Sequence, residues 1–157
     1  MSRFRKVARW LPFLGGGGGG GETDRQRLVV EQAKIEPSPG GGLCLAWVGN
    51  VFEHAIGLVV RRPTAFDDYL ATTTYDNFDV PIGAVVYGTG QNTNGAGHIG
   101  IYIGDGLIMD NQGAFGGPGS VVTSTWEQWL SWQTDTIQGL TGYLGWGWYG
   151  NDNLTQG

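Results

Sequence analysis

One cysteine, Cys44, and two histidines, His54 and His98, hold most of the reactive chemistry of this 157-residue chain. Cys44 follows the run Pro39-Gly40-Gly41-Gly42-Leu43 and opens an amphipathic stretch, Cys44-Leu45-Ala46-Trp47-Val48. His98 opens a strand pattern, Gly97-His98-Ile99-Gly100-Ile101-Tyr102-Ile103-Gly104. A thiol at a helix start and an imidazole at a strand start are the parts of a cysteine hydrolase: the thiolate attacks, and the imidazole takes and returns the proton. The glycines before Cys44 expose backbone N–H groups, and a helix N-terminus carries partial positive charge that favours a thiolate. The same N–H groups can hold an oxyanion. The plain alternative for a lone thiol is a buried structural cysteine.

Asp110 and Asn111 follow His98 by twelve and thirteen residues. A hairpin turning at Asp105-Gly106 returns residues 108–112 beside residues 98–102, and period-two alternation lets only one of the two share the His98 face. Asp110 is favoured, because a carboxylate both orients the ring and stabilises imidazolium. Asn111 is the alternative third residue and would orient only. His54 lies ten residues after Cys44 on the same helix, about 15 Å along it at 1.5 Å per residue. It cannot reach the thiol and reads as a surface residue.

Zinc is the rival chemistry for Cys44, His98 and Asp110, but no CxxC, HxxxH or HExxH cluster accompanies them. Neither a metal nor a cofactor is expected. Gly40-Gly41-Gly42 lacks the Lys-Ser/Thr of a phosphate-binding loop and follows a helix rather than a strand.

The charge is segregated. Arg3, Arg5, Lys6 and Arg9 make the first fourteen residues basic with no acid, whereas all fourteen acids lie from Glu22 onward against five bases, a balance of −9. No Lys or Arg occurs after Arg62, so nucleic acid is an unsuitable partner for the body. The apolar run Trp10–Leu14 is too short for a secretory core and is broken by Pro12. No stretch approaches the ~20 apolar residues of a membrane span. Residues 1–21 therefore read as a basic, aromatic tail with a seven-glycine tether, and residues 22–157 as one folded domain. The tail, residues 1–14, is a candidate to dock on a partner or graze a membrane.

The elements that must position these groups are legible by period. A helix is expected over 23–36, capped at Thr23 or Asp24, with Leu28, Val29, Gln32 and Ala33 marking one face and Pro37 ending it. A second helix runs from Cys44 to Ala55, with Val48, Val51, Phe52 and Ala55 inward, and a short one is expected around 65–71. Strands are expected at 84–87, 98–103, 107–110, 121–122 and 142–146, and a helical turn at 126–132 behind a capping-box pattern. Trp126, Trp129 and Trp132 share a helix face at spacing three. Most of the seven tryptophans read as core, with one or two available to stack on sugar rings at a cleft rim. Helices first and an antiparallel sheet after define an α+β domain.

These pieces, in this order, resemble the NlpC and CHAP branches of the papain-like cysteine hydrolases over about residues 24–150. The resemblance rests on the opening helix, the glycine approach to Cys44, Pro81-Ile82-Gly83-Ala84-Val85-Val86-Tyr87, and above all Gly97-His98-Ile99-Gly100-Ile101-Tyr102-Ile103-Gly104-Asp105-Gly106. Gly42-Leu43-Cys44-Leu45-Ala46-Trp47-Val48 and Tyr143-Leu144-Gly145-Trp146 look most like the peptidase domains of lysins from phages of actinobacteria. Where NlpC members usually carry Asp-Cys-Ser-Gly, this chain has Leu43-Cys44-Leu45-Ala46, and the third position, often His, Asn or Gln, is Asp.

The resemblance implies a papain-like fold, helices packed on a small antiparallel sheet, and hydrolysis of peptidoglycan within the stem peptide or at its amide to muramic acid. It implies Cys44 as nucleophile, His98 as base and Asp110 as third residue. With no evident export signal or wall-binding domain, a phage product is expected, in the virion or in host cytoplasm before release, with residues 1–14 meeting a phage tail or virion protein. Two other readings share the fold: a non-catalytic structural or adhesion module of a virion, and an acyltransferase using the same dyad.

Overall fold

The computed structural model describes residues 21–91 and 94–156. The tail and tether expected over 1–21 lie outside the described residues, apart from Gly21. Helix α1, Asp24–Ala33, starts at Thr23, whose side chain accepts from the Gln26 N–H while the Gln26 side chain accepts from the Thr23 N–H. This reciprocal cap satisfies two N–H groups that a helix start otherwise leaves without partners. The helix ends three residues before the expected end at 36. Ile35 is 73% exposed and Leu28 46%, so the buried stripe is Gln26, Val29, Val30 and Ala33.

Helix α2, Cys44–Ile56, ends on Gly57 in a left-handed conformation and buries Trp47, Val48, Val51 and Phe52. Helix α3, Ala65–Ala71, is capped by Thr64. The strands are β1, Thr74–Tyr75; β2, Val85–Gly88; β3, His98–Gly104; β4, Leu107–Gln112; and β5, Ser120–Thr125. Helix α4, Trp126–Trp132, follows with its own Thr125/Gln128 capping box. A two-residue pair, β6 (Thr136–Ile137) and β7 (Leu140–Thr141), precedes β8, Tyr143–Gly147.

Six strands form one antiparallel sheet in the order β1-β8-β2-β3-β4-β5. Alternation along β2, β3 and β4 splits the core in two. Val85, Tyr87, Ile99, Ile101 and Met109 pack with the helix residues Val29, Trp47, Val48, Val51 and Phe52. Ala84, Val86 and Ile108 pack instead with Trp129 and Trp146. The architecture is α+β, three helices on one face of an antiparallel sheet and the short α4 on the other. Trp47 and Trp129 are fully buried, as two of the expected core tryptophans. Among the described residues no helix is long and apolar enough to cross a membrane.

Candidate active site

The site is built where α2 begins and β3 begins. Cys44 is the first residue of α2, and Leu43, its N-cap, supplies no side-chain cap. Leu43 caps only through its carbonyl, which accepts from the Trp47 N–H at 3.0 Å. The N–H groups of the first turn are thus left for a ligand rather than for a side chain.

The glycines before Cys44 are explained by close approach. The Gly41 N–H donates to the Gly117 carbonyl at 2.8 Å and the Gly42 N–H to the Gly113 carbonyl at 3.1 Å. A Cβ on Gly41 would fall 2.0 Å from the Ala114 carbonyl oxygen, so the two loops can interlock only if that residue is glycine.

His98 and Asp110 meet by a diagonal. The register pairs Ile101 with Met109, which sets Asp110 across from Gly100, two residues from His98 on the same face. A Cβ on Gly100 would stand 2.7 Å from Ile108 Cγ2 and 3.4 Å from Asp110 Cβ. With no side chain there, His98 Nε2 comes within 2.6 Å of Asp110 Oδ2. Both groups are buried, 3% and 0% exposed.

Asp110 Oδ2 also accepts from the Trp129 indole N–H at 3.1 Å, and Gln112 Nε2 lies 3.3 Å from both carboxylate oxygens. The Trp132 ring packs against the imidazole, centroids 4.6 Å apart and planes at 54°.

With Nε2 engaged by Asp110, Nδ1 is the ring nitrogen left for Cys44. The half-buried thiol is close enough to hydrogen-bond the ring. Burial by itself pulls the His98 pKa down, but the charge of the Cys44 thiolate and the hydrogen bonds to Asp110 and Cys44 outweigh it and raise it to about 10. The imidazole is therefore a cation at neutral pH, poised as an acid beside Cys44.

Cys44, His98 and Asp110 are strung through the ring rather than converging on a point. Among the described residues no group of three or more His, Cys, Asp and Glu is arranged to hold a metal ion.

Asn111, the alternative third residue, points to the other face. Its Nδ2 donates to the Gly40 carbonyl at 2.8 Å, and its buried Oδ1 has no partner among the described residues. It touches the loop that leads into Cys44, not His98. His54 is on the surface of α2, 56% exposed, paired with Glu36 at 2.8 Å.

Trp129, Trp132 and Gln112 were not among the residues singled out for the site. The tryptophan spacing of three was the available signal, but it does not tell which strand a short helix lies against.

Cys44 and His98 open into a cleft of about 910 Å³, whose walls include Arg62, Asn111, Phe115 and Trp132. A cleft of this size suits a short peptide or a few sugar rings.

No protein-family model matches the chain, and no curated protein matches its sequence. Among solved structures the chain is similar to NlpC1 from Trichomonas vaginalis, at 15% identity and a TM-score of 0.55, over 82% of this chain and 45% of that one. The chain thus spans less than half the length of that protein. At this identity the likeness is one of fold: the chain has the papain-like α+β architecture of an NlpC protein.

Proposed function

We propose that this chain is a cysteine hydrolase of peptidoglycan, cutting a peptide or amide bond in the stem peptide or at its junction with muramic acid. The observation that carries the reading is the buried Asp110–His98 pair, 2.6 Å between Nε2 and Oδ2, turned toward a thiol at a helix N-terminus in an open cleft.

The chemistry follows from the arrangement of thiol, imidazole and carboxylate. The Cys44 thiolate attacks the scissile carbonyl carbon, and the carbonyl electrons move onto oxygen. The N–H groups at the start of α2 face that oxyanion with the positive end of the helix dipole. Imidazolium at Nδ1 gives its proton to the leaving amine as the C–N bond breaks, leaving a thioester and neutral His98. A water then loses a proton to Nδ1 while attacking the thioester, and the carboxylate product and thiolate are released. Asp110 holds the ring through Nε2 and stabilises the cation, and Trp129 holds Asp110.

Peptidoglycan as substrate, and a setting in a phage lysin of NlpC or CHAP type, carried in the virion or released from host cytoplasm, rest on the sequence resemblance and the NlpC fold. Residues 1–14 are proposed to dock on a phage tail or virion protein, tested by co-sedimentation of full-length and truncated protein with phage particles.

The deciding experiment is incubation of the protein with purified actinobacterial walls, with and without thiol alkylation, followed by mass spectrometry of the released fragments. Loss of turbidity that alkylation abolishes, with a new amine and a new carboxylate at one bond, is the expected result. An intact fold with no fragment released from any wall type favours the non-catalytic module, and fragments joined to an added amine favour an acyltransferase.

A further inference from the structure

The acidic body is broken by a local concentration of positive charge. From Glu22 onward its only bases are Arg25, Arg27, Lys34, Arg61 and Arg62. Arg25 and Arg27 are committed to Asp152 and Asp24. Arg61 and Arg62 are consecutive, and both line the cleft that holds Cys44 and His98. Arg61 lies 3.7 Å from Glu53, a contact between side chains 73% and 43% exposed, which contributes little in water. Arg62 has no carboxylate within ion-pair distance among the described residues; its Nη1 donates to the Arg61 carbonyl at 3.1 Å.

Two further features prepare this end of the cleft. Pro63 follows Arg62 and confines its backbone to extended conformations, which limits the entropy lost on binding. Tyr149, 1% exposed, lines the same cleft, and its hydroxyl is 3.4 Å from the Val60 carbonyl, a long contact that leaves the O–H able to turn to a better acceptor. Burial and Asp68 push the Tyr149 pKa up, to about 12, while Arg61 and Arg62 pull against that. The phenol therefore stays a donor throughout the neutral range.

A body of charge −9 repels anions, and this pair of arginines places two positive charges on the wall of the cleft. Guanidinium forks and a phenol O–H all donate, and their shared complement is a carboxylate. We propose that Arg61, Arg62 and Tyr149 form a carboxylate-recognising subsite of the cleft, so that the substrate is a peptide bearing a free carboxylate within reach of the bond cut. This deepens the hydrolase reading and rests on it for the identity of the cut bond, but the binding of the carboxylate stands apart from turnover.

The test separates the two. Calorimetric titration of the full chain carrying Cys44→Ala uses the stem tripeptide L-Ala-γ-D-Glu-L-Lys and two versions in which either the glutamyl or the lysyl carboxylate is a carboxamide. Amidation of one of them is expected to weaken binding about tenfold, and the position that does so identifies whether a chain carboxylate or the C-terminus is read. Adding Arg61→Gln and Arg62→Gln removes that difference, whereas Arg62→Lys, which keeps the charge without the fork, retains part of it. Equal affinity for the three peptides, no binding of any, or an acid preference that survives loss of both arginines overturns the subsite. Acid-selective binding without cleavage of any of the peptides, or of the muramoyl-tripeptide, by the unsubstituted protein counts against the hydrolase reading instead.

Discussion

The molecule contains two histidine–carboxylate pairs, and they differ in kind. His54 Nδ1 meets Glu36 Oε1 at 2.8 Å, and His98 Nε2 meets Asp110 Oδ2 at 2.6 Å. In both, the partner carboxylate is buried and the imidazole pKa is raised. At Glu36 the hydrogen bonds from Gln32 at 2.8 Å and, on its carbonyl, from Trp47 at 3.1 Å tie the end of α1 to α2. That pair fastens two helices, and its imidazole, 56% exposed, faces water. The other imidazole is buried between a carboxylate and a thiol and opens on a cleft. A raised histidine pKa is thus common to both pairs: the neighbouring thiol and the burial of the ring are what separate the two.

Substitution of the two regions should divide cleanly. Cys44→Ala and His98→Ala are each expected to lower wall hydrolysis by about 10³-fold or more while leaving circular dichroism intact. His54→Ala should stay within about twofold of the original rate, as expected for an exposed group. More than a tenth of the original turnover in either of the first two variants would remove the proposed dyad.

The next largest effect falls on the third residue. Asp110→Asn is expected to reduce turnover about 100-fold, because an amide no longer stabilises imidazolium. Asn111→Ala should cost less than Asp110→Ala, acting through the Gly40 carbonyl contact rather than through His98. The reverse order would give the orienting role to Asn111.

Trp129→Phe keeps an aromatic ring but removes the indole N–H that meets Asp110 at 3.1 Å, together with part of a fully buried ring system. A loss of about 1.5–3 kcal/mol in stability, typical of a buried hydrogen bond to a charged group, should accompany a severalfold fall in rate. A change in chemical denaturation midpoint with an unchanged pH profile would make Trp129 structural only.

Proton titration gives the finest distinction. His98, raised to about 10, should yield an alkaline limb near that pH as the imidazolium that protonates the leaving amine is lost. In Cys44→Ala the charge and hydrogen bond that Cys44 offers the ring are gone, so NMR should find the His98 pKa lower and that of His54 unmoved. For stability the sign is the same at both sites. A raised imidazole pKa favours the folded state fully below 6.5, the ordinary value, and the contribution fades as pH climbs through the folded pKa. For His54 this fade should show as a melting-temperature difference between His54→Ala and the parent chain that shrinks above pH 6.5.

Local signals in the sequence determined much of the frame. The cap at Thr23 or Asp24, the capping-box pattern before residue 126, the apolar period of residues 44–55 and the Asp105-Gly106 turn each act over a few residues, so the helices, the hairpin and the α+β class are readable without partners. The types and positions of Cys44 and His98 were legible for the same reason.

Strand ends were less so. β5 runs from Ser120 to Thr125, although only Val121-Val122 carries apolar signal, because pairing with β4 supplies the hydrogen bonds that fix it. β1 has almost no apolar signature and exists only because β8 lies beside it.

Only the tertiary structure decided which of Asp110 and Asn111 faces His98. Alternation says that one of them does, but the choice depends on the register across the hairpin and on Gly100 leaving the diagonal open. It likewise decided that Trp129 holds Asp110, that the 113–119 loop clasps the glycines before Cys44, and that Arg61 and Arg62 line the same cleft as the thiol. Each of these is a contact between segments far apart in the chain. Local propensity is set by neighbours in sequence, whereas such contacts are set by how whole elements pack.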